Sequence, residues 1–397
     1  MSRNIIDFRG RTPRKLGMDW GGGDIPALSA RNVKMGLVDL QEETYFGSDA
    51  LYKRWMTKGD AERGDIVITT EAPLGNVALI PDHRKYILSQ RVVLLQVDPS
   101  QVVSTFLSQL MMSDGFQRRL VSNASGSTAT GIQRKRLEKL ELPLPPLPEQ
   151  RAIAESLSDL DATIGAVDKL IAKNRAVKLA TMQQLLRGTT RLSGFTRDWR
   201  AAQMGELADI RSGATPQTRV ASFWGGDIPW CTPTDITSQP GKYLWVTERT
   251  ITGSGLSSCG ATLLPRGALL LCSRATIGEV RIAAVPVATN QGFKSLVVKP
   301  GVSNEFLYYL VLTLRSRMIE RATGSTFLEI GKRDLTELSV TIPDTGEEQE
   351  AIADVLSDMD RAIARLVLMR DKMKVVKVGM MQALLTGRVR LNEEAGV

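Results

Sequence analysis

The strongest constraint on the fold is an internal duplication of the chain. The segment QRAIA at residues 150–154 returns 199 residues later as QEAIA, and LSDLD at 157–161 returns at the same spacing as LSDMD. MQQLLRG at 182–188 returns, again at that spacing, as MQALLTG. No residue is therefore inserted or deleted anywhere between the matches. The two copies are predicted to be rigid elements of equal length.

The segments that precede these copies match more loosely. GGDIP occurs at 22–26 and at 225–229, and the dipeptide TP occurs at 12–13 and at 215–216. The residues between such matches differ. We infer that one fold occurs twice with different surface chemistry, which suggests that the two domains recognise two different things.

Each constant copy has the pattern of one long helix. Pro148 suits a helix start, and Gly188 suits a helix stop. From Glu149 to Arg187 the helix would span roughly 58 Å at 1.5 Å per residue. Apolar residues recur in alternating steps of three and four, as in the seam of a coiled coil. They are Ile153, Leu157, Leu160, Ile164 and Val167 in the first copy, and Ile352, Leu356, Met359, Ile363 and Leu366 in the second.

The connectivity predicts how these elements combine. A compact domain usually has its two ends close together, so the second helix should run back antiparallel along the first. The expected fold is mixed α/β (α+β), with two similar domains separated by two long antiparallel coiled-coil helices in a pseudo-two-fold arrangement. One short helix is expected inside each domain, over 103–120 and over 304–321. The predicted bounds are 1–147 and 193–343 for the domains, 148–192 and 344–391 for the helices, and 392–397 for a C-terminal tail.

Composition narrows the class of protein. The formal net charge is +8 and the sequence pI is about 9.4, which favours a polyanionic partner such as nucleic acid. We find neither a signal peptide nor an apolar run of membrane-spanning length, so a cytoplasmic location is expected. Three scattered cysteines and the single histidine, His83, argue against a disulfide framework, a zinc site and histidine-dependent catalysis.

Motifs of catalysis are missing from the sequence. There is no GxxxxGK[ST] loop for ATP, no glycine-rich cofactor turn between a strand and a helix, and no aromatic NPPY-like loop for adenine methylation. We therefore predict that the chain has no catalytic residue, binds no metal and is not itself an enzyme.

Two further segments carry a family resemblance. LPLPPLPEQ at 142–150 and ASGST at 124–128 precede the first long helix, and the order of variable domain and constant helix occurs twice. In these features the chain resembles, over essentially its whole length, the specificity subunit (HsdS) of type I restriction-modification systems.

The resemblance implies a reader of double-stranded DNA. Each variable domain would be a target-recognition domain for one half of an asymmetric bipartite site, and the helix pair would fix the gap. Two modification subunits, which are adenine methyltransferases, would dock on the helices and use S-adenosylmethionine. Restriction subunits would add translocation and cleavage with ATP and Mg. This chain would bind none of these cofactors.

Candidate DNA-binding residues follow from their chemistry, because Arg, Lys, Gln, Ser and Thr can reach phosphates or base edges. The best candidates for backbone binding are Arg134, Lys135 and Arg136 after Ser127 and Thr128, with Lys332 and Arg333 after Ser325 and Thr326 as their counterpart. The remaining candidates are Arg11, Thr12, Lys53, Arg54, Arg91, Thr215, Arg274 and Gln291. For each of them the alternative is ordinary solvated surface charge.

Two other functions stay open at this point. The chain could be a coiled-coil scaffold that binds DNA without reading its sequence, although the dissimilar domain surfaces argue against this. It could also be a single-chain nuclease or methyltransferase, which the missing motifs oppose.

Overall fold

The computed structural model describes residues 2–126, 130–324 and 328–391. It contains two compact units, one formed by Met1–Lys169 with Leu368–Val397 and the other by Leu170–Val367. Each unit therefore holds one loosely matching domain and parts of both long helices. The predicted tail at 392–397 lies outside the described residues.

The first unit is built on a four-stranded antiparallel sheet with α-helices on one side. The strands are β1 (Ser2–Asp7), β2 (Ile25–Leu28), β3 (Val33–Lys34), β4 (Leu37–Val38), β5 (Phe46–Gly47), β6 (Ile66–Thr70), β7 (Leu74–Leu79), β8 (Ile87–Leu88) and β9 (Val92–Val97). The helices are α1 (Asp49–Trp55), α2 (Ser104–Met112), α3 (Asp114–Ser122) and α4 (Arg134–Leu137), followed by the long α5 (Leu147–Leu186). The main sheet has the order β1-β9-β6-β7, and a smaller sheet has the order β5-β2-β8.

Both faces of the main sheet are covered, which explains the continuous apolar run IVITT of β6. Successive side chains of a strand point to opposite faces. Ile66 and Ile68 accordingly pack in one core with α2, α3 and the start of α5, while Val67 packs in a second core with the smaller sheet. The first of these cores also includes Leu384 and Leu385, from the end of the second long helix.

The second unit repeats this arrangement. Its strands are β10 (Trp199–Gln203), β11 (Ala208–Ser212), β12 (Trp224–Cys231), β13 (Tyr243–Leu244), β14 (Arg249–Ile251), β15 (Leu269–Leu271), β16 (Val280–Ala283), β17 (Ala288–Thr289), β18 (Lys294–Val298) and β19 (Ser339–Pro343). Its helices are α6 (Met204–Leu207), α7 (Pro233–Ser238), α8 (Gly253–Ser257), α9 (Asn304–Thr313), α10 (Arg315–Arg321), α11 (Lys332–Thr336) and the long α12 (Gly346–Leu384).

The main and the smaller sheet have matching strand orders in the two units, although β13 adds a fifth strand to the second main sheet and β10 pairs separately with β19. The run β11-β18-β15-β16 repeats β1-β9-β6-β7, and β14-β12-β17 repeats β5-β2-β8 with the same parallel and antiparallel pairings. The fold prediction of two similar mixed α/β domains and two long helices is confirmed.

The prediction of one short helix in each domain is wrong, because each predicted helix is split in two and further short helices, such as α1 and α8, lie elsewhere in the domains. Between α2 and α3 the backbone of Ser113 is extended, and its hydroxyl accepts a hydrogen bond from the backbone N of Phe116. This side chain ends one helix and caps the next. Between α9 and α10 the break falls at Leu314, whose conformation leaves the helical range.

A buried glutamine joins the first turn of each long helix to its domain. Gln150 accepts a hydrogen bond from the backbone N of Val103 at 2.9 Å and donates one to the carbonyl of Pro145 at 2.8 Å. Gln349 does the same with Ser303 at 3.0 Å and Pro343 at 3.1 Å. Each amide therefore uses both of its functions to hold the helix start on the domain.

The helices run antiparallel within each unit, as the ion pairs between them show. In the first unit Lys377 pairs with Asp161 at 2.7 Å, and Arg370 pairs with Asp168 at 3.3 Å. In the second unit Lys178 pairs with Asp360 at 2.5 Å. Residue numbers rise along one helix as they fall along the other. No helix within the described ranges is long and apolar enough to cross a membrane.

Two further ion pairs involve nearly buried glutamates. Arg390 holds both carboxylate oxygens of Glu149 at 2.6 Å, and Arg191 holds both oxygens of Glu348 at 2.7 and 2.8 Å. Removing one partner of a buried ion pair lowers the free energy of unfolding, because the remaining charge is left uncompensated and away from water.

Arg191→Ala should therefore lower the free energy of unfolding of the second unit by about 3 kcal/mol. Arg361→Ala is the matched control, since its exposed pair with Asp358 should contribute less than about 1 kcal/mol. Urea titration of the two variants measures the difference. Equal losses would contradict this account of the Glu348 pair.

Candidate nucleic-acid interface

A cleft opens at one edge of the main sheet in the first unit. β1 and β6 both end where β9 begins, because Asp7 pairs with Val93 and Thr69 pairs with Val92. The segments that leave this edge enclose a cleft of about 780 Å³. Its walls include Arg11, Thr12, Trp20, Tyr45, Ala72, Ser89, Gln90 and Arg91.

The charge of this cleft is mainly positive. Arg11, Arg14, Arg31 and Arg91 line it, against the carboxylates Asp19 and Glu43. Of these, Arg31 and Glu43 form an ion pair with each other. A concave surface with excess arginine concentrates polyanions.

The second unit has an equivalent edge, built by the same hydrogen bonds. The backbone N of Thr70 donates to the carbonyl of Arg91, and the backbone N of Ser273 donates to that of Gly292, both at 2.8 Å. The carbonyl of Thr70 accepts from the backbone N of Ile132, and that of Ser273 accepts from Ile330, both at 2.9 Å. The loops at the two edges therefore correspond residue by residue.

A glutamine occupies the same place in both loops. Gln90 donates from its side chain to the carbonyl of Arg11 at 3.3 Å. Gln291, two residues after β17 as Gln90 is two residues after β8, accepts a hydrogen bond from the hydroxyl of Thr215. Both glutamines tie the loop after a short strand to the segment that follows the first strand of the main sheet.

The residue that follows the paired Thr70 or Ser273 carries opposite charge in the two units. Glu71 follows Thr70 and lies 3.7 Å from Arg91, whereas Arg274 follows Ser273. Isolated bridges pair Glu71 with Gly131 and Arg274 with Glu329, and Glu329 in turn binds Lys294 at 2.8 Å. The frame is retained while the chemistry exposed at the edge is changed.

The next residue is strained in both units. Ala72 has φ 44° and Ala275 has φ 59°, in the left-handed region that alanine rarely adopts. Such strain costs on the order of 1–3 kcal/mol and is concentrated at functional sites. Its occurrence at equivalent positions supports a shared role for the two edges.

Comparison with known families assigns this duplicated fold. The family model described as the type I restriction modification DNA specificity domain matches the chain twice, at residues 4–173 and 196–367. This chain belongs to that family. Each match covers one loose domain together with much of a long helix, so the specificity domain is the unit that is duplicated.

Individual relatives agree with the assignment. The type I restriction enzyme MjaIX specificity subunit of Methanocaldococcus jannaschii is 39% identical over 176 residues, which cover 44% of this chain and only 40% of that protein. The MjaVIII specificity subunit of the same organism is 25% identical over 328 residues, covering 78% of this chain and 75% of that protein.

Solved structures share the fold. The type I S subunit from M. genitalium superposes with a TM-score of 0.58 at 16% identity, covering 96% of this chain and 93% of that one. A chain from a structure on complex assembly and conformational transition of the type I R-M system gives 0.61 at 20% identity, covering 97% and 96%.

The structure gathers some predicted site residues at the two edges and leaves others apart. Arg11, Thr12 and Arg91 line the first cleft, and Thr215, Arg274 and Gln291 lie at the equivalent edge of the second specificity domain. Lys53 and Arg54 lie on α1 and are not among the residues that line the cleft. Lys53 is paired with Asp49, and this lysine together with Lys85 lowers the pKa of that carboxyl to about 2.

The predicted basic segments begin beside the same edges. Arg134, Lys135 and Arg136 follow Ile132, and Lys332 and Arg333 follow Ile330. These two isoleucines donate to the carbonyls of Thr70, at the end of β6, and of Ser273, two residues after β15. Lys135, Arg136, Lys332 and Arg333 are exposed, and Arg134 is half-buried. Arg134 pairs with Glu138, and Arg333 pairs in the same way with Glu337. Ser127, Thr128, Ser325 and Thr326 lie outside the described residues.

The predicted seam residues divide by position along the helices. Ile153, Leu157, Ile352 and Leu356 are buried in the cores of the specificity domains. Ile164 and Val167 are buried farther along α5, whereas Leu160, Met359, Ile363 and Leu366 are half-buried.

Sequence reasoning missed an aromatic platform in each domain. Trp20 stacks on Tyr45 with ring centroids 5.7 Å apart, and Trp224 lies under the guanidinium of Arg249 at 3.6 Å. Trp224 directly precedes the second GGDIP, and one residue separates Trp20 from the first. This shared position was the signal in the sequence that could have pointed to the tryptophans. Tyr45 directly precedes β5 and Arg249 begins β14, and the pairing that brings these segments to the tryptophans was not visible in the sequence.

The cysteines of the second specificity domain are poor metal ligands. Cys231 and Cys272 are buried, and Cys259 is half-buried. Within 2–126, 130–324 and 328–391, no three His, Cys, Asp or Glu side chains are grouped as a metal site requires.

Burial raises the pKa of the Cys272 thiol to about 11 and also raises that of Cys231. At pH 8 the thiolate fraction of Cys272 would be on the order of 0.001, and the thiolate is the reactive form. We expect Cys259 alone to react rapidly with an aromatic disulfide reagent in the folded protein, and all three thiols to react in urea. Three fast thiols without urea would contradict this prediction.

Proposed function

We propose that this chain is the non-catalytic reader of a bipartite DNA site, with one specificity domain reading each half. The observation that carries the proposal is the pair of equivalent edges, which have the same hydrogen-bonded frame and the same strained alanine but different side chains. A frame that is repeated with altered contact residues suits two different half-sites.

The chemistry at each edge suits DNA. Arginine and glutamine side chains can bond to base edges in the major groove. The exposed basic turns of α4 and α11, which begin beside the edges, would hold phosphates and so position the domain. The net charge of +8 would add a salt-dependent attraction to DNA.

Partner subunits would supply the catalysis. Each unit exposes apolar side chains on its helix segments, among them Val375 and Val376 in the first and Val177 and Leu179 in the second. Exposed apolar residues of this kind mark surfaces where proteins bind one another. We assign these faces to two modification subunits carrying S-adenosylmethionine, with ATP and Mg used by restriction subunits. Such a complex would act in the cytoplasm.

The direct test is to produce the chain with its modification subunit and map methylated adenines in the host genome. The proposal predicts one motif with two unlike half-sites and a fixed gap. Incubation of the purified chain alone with labelled S-adenosylmethionine should transfer no methyl group. Methyl transfer by the chain alone, or a complex that binds all sequences equally, would overturn the proposal; the latter would favour a scaffold.

The basic turn of α4 should contribute phosphate contacts. Affinity for DNA falls as salt rises, and each lost phosphate contact lowers the magnitude of the slope of log affinity against log salt by about 0.9. In the assembled complex, Arg134→Ala with Lys135→Ala should therefore lower that slope by up to about 2, without altering the preferred sequence. Lys53→Ala with Arg54→Ala is the matched control and should leave the slope unchanged. An unchanged slope in the α4 variant would remove this turn from the interface.

The two long helices should set the gap between the half-sites. Within the second unit the pair Lys178–Asp360 sets the antiparallel register of the helices, and five residues along each helix this register places Lys173 opposite Arg365. An insertion into one helix alone would break this register on one side of the insertion. Four residues added after Lys173 and four added before Arg365 would keep it, and would lengthen both helices by about 6 Å.

We expect this matched four-residue variant to methylate the same half-sites with a gap one or two base pairs longer. Four residues turn a helix by roughly 400°, so the packed face is nearly kept, whereas two residues turn it by roughly 200°. The matched two-residue variant, and a variant with four residues in one helix only, should lose activity. An active four-residue variant with the original gap would show that the helices do not set the spacing.

A further inference from the structure

One position differs between the two specificity domains in a way that bears on base recognition. In the smaller sheets, Ile25 pairs with Gly47 as Ile228 pairs with Ile251. Tyr45 lies two residues before Gly47, and its carbonyl accepts a hydrogen bond from the backbone N of Ala27 at 2.8 Å. Arg249 lies two residues before Ile251 and pairs with Trp230, which is two residues after Ile228 as Ala27 is two residues after Ile25. Tyr45 and Arg249 therefore occupy the same place in the two domains.

The residues that follow confirm this register. Ser48 and Thr252, each the next residue after the paired Gly47 and Ile251, accept a hydrogen bond through their hydroxyls from the backbone at the start of α1 and α8. The match between Tyr45 and Arg249 thus rests on strand pairing and on helix capping together.

A tryptophan supports each of these side chains. The rings of Trp20 and Tyr45 are nearly parallel, with an angle of 16° between them. Trp224 is braced edge-on by Trp230 at 5.0 Å, and the guanidinium of Arg249 lies over both rings. The indole N–H of Trp230 donates to the carbonyl of Ala214 at 3.1 Å, which fixes the platform to the backbone.

Arg249 is held in position while its donors stay open. It is exposed, and among the described residues no carboxylate forms an ion pair with it. Arg274, at the nearby edge, is half-buried. A planar guanidinium that is stacked on an aromatic face loses little freedom on binding and presents a rigid fork of donors.

We propose that the position held by Tyr45 and Arg249 determines one base pair of each half-site, and that Arg249 recognises a guanine. The guanidinium fork matches the O6 and N7 acceptors of guanine in the major groove. Tyr45, 52% exposed on its own tryptophan, offers one hydroxyl and a ring, and it cannot form that bidentate contact. This inference rests on the proposed function and adds to it the residue that distinguishes the half-sites.

The test uses the full chain in complex with its modification subunit. Binding is measured against a panel of duplexes in which every base pair of the methylated motif is replaced in turn. Arg249→Lys keeps the charge and loses the fork. We expect it to reduce discrimination at one guanine of the second half-site roughly 10- to 100-fold, with the first half-site unchanged.

The reciprocal variant transfers the contact. Tyr45→Arg should acquire a preference for guanine at one position of the first half-site, with the second half-site unchanged. Arg63→Gln and Arg266→Gln are matched controls, because these exposed arginines precede β6 and β15, at the ends of those strands opposite Glu71 and Arg274. Neither control should alter any base preference.

The outcomes separate this inference from the proposed function. A wild-type complex without half-site preference would overturn the proposed function and this inference with it. A selective wild type whose preferences all survive in Arg249→Lys would overturn this inference alone. A uniform loss of affinity in that variant, with no single position relaxed, would also overturn it, because Arg249 would then be a phosphate contact.

Discussion

The buried carboxylates Glu149 and Glu348 are the constraint on which the arrangement of each unit depends. A carboxylate away from water is tolerated only when it is paired and hydrogen-bonded, and the planar fork of an arginine meets this need best. The partners are Arg390 and Arg191, which lie beyond the ends of the opposite helices. Each pair therefore joins the start of one long helix to the segment after the other and enforces their antiparallel direction within the unit.

The adjoining glutamines extend this constraint from the helices to the domains. Because Gln150 and Gln349 each bond to two backbone groups of the preceding domain, a domain cannot turn on its helix without losing two hydrogen bonds. The partners are backbone N–H and C=O groups, so these contacts do not depend on which side chains the domain carries. The domain surface can therefore vary, as the change from Glu71 to Arg274 shows, while its attachment stays the same.

The sequence predicted the parts of the fold that rest on local periodicity and on repetition. A constant spacing of 199 residues and regular apolar steps are enough to predict two long helices. The breaks at Ser113 and Leu314 were missed because the apolar pattern continues through them, and a single hydroxyl cap or backbone angle decides the outcome. Ser113 was the readable signal, since a serine followed by Asp114 and Gly115 suits the start of a new helix.

The candidate site was predictable only in part, for a different reason. Arg11, Thr12, Arg91, Arg274 and Gln291 were proposed from residue chemistry and stay predictions, and the structure places them at the two edges. Lys53 has the same chemistry but lies elsewhere, because α1 carries it outside the cleft wall. Tyr45 and Arg249 were missed because their equivalence depends on pairing between strands distant in sequence, which no local pattern reveals.

The central claim is that each specificity domain reads its own half-site independently. The most direct measurement is the methylation motif of a complex whose chain carries residues 1–147 in place of residues 193–343, with both long helices retained. The account predicts an inverted repeat of the first half-site with the original gap. A motif that still contains the second half-site would contradict it, because sequence would then be read outside the exchanged domain.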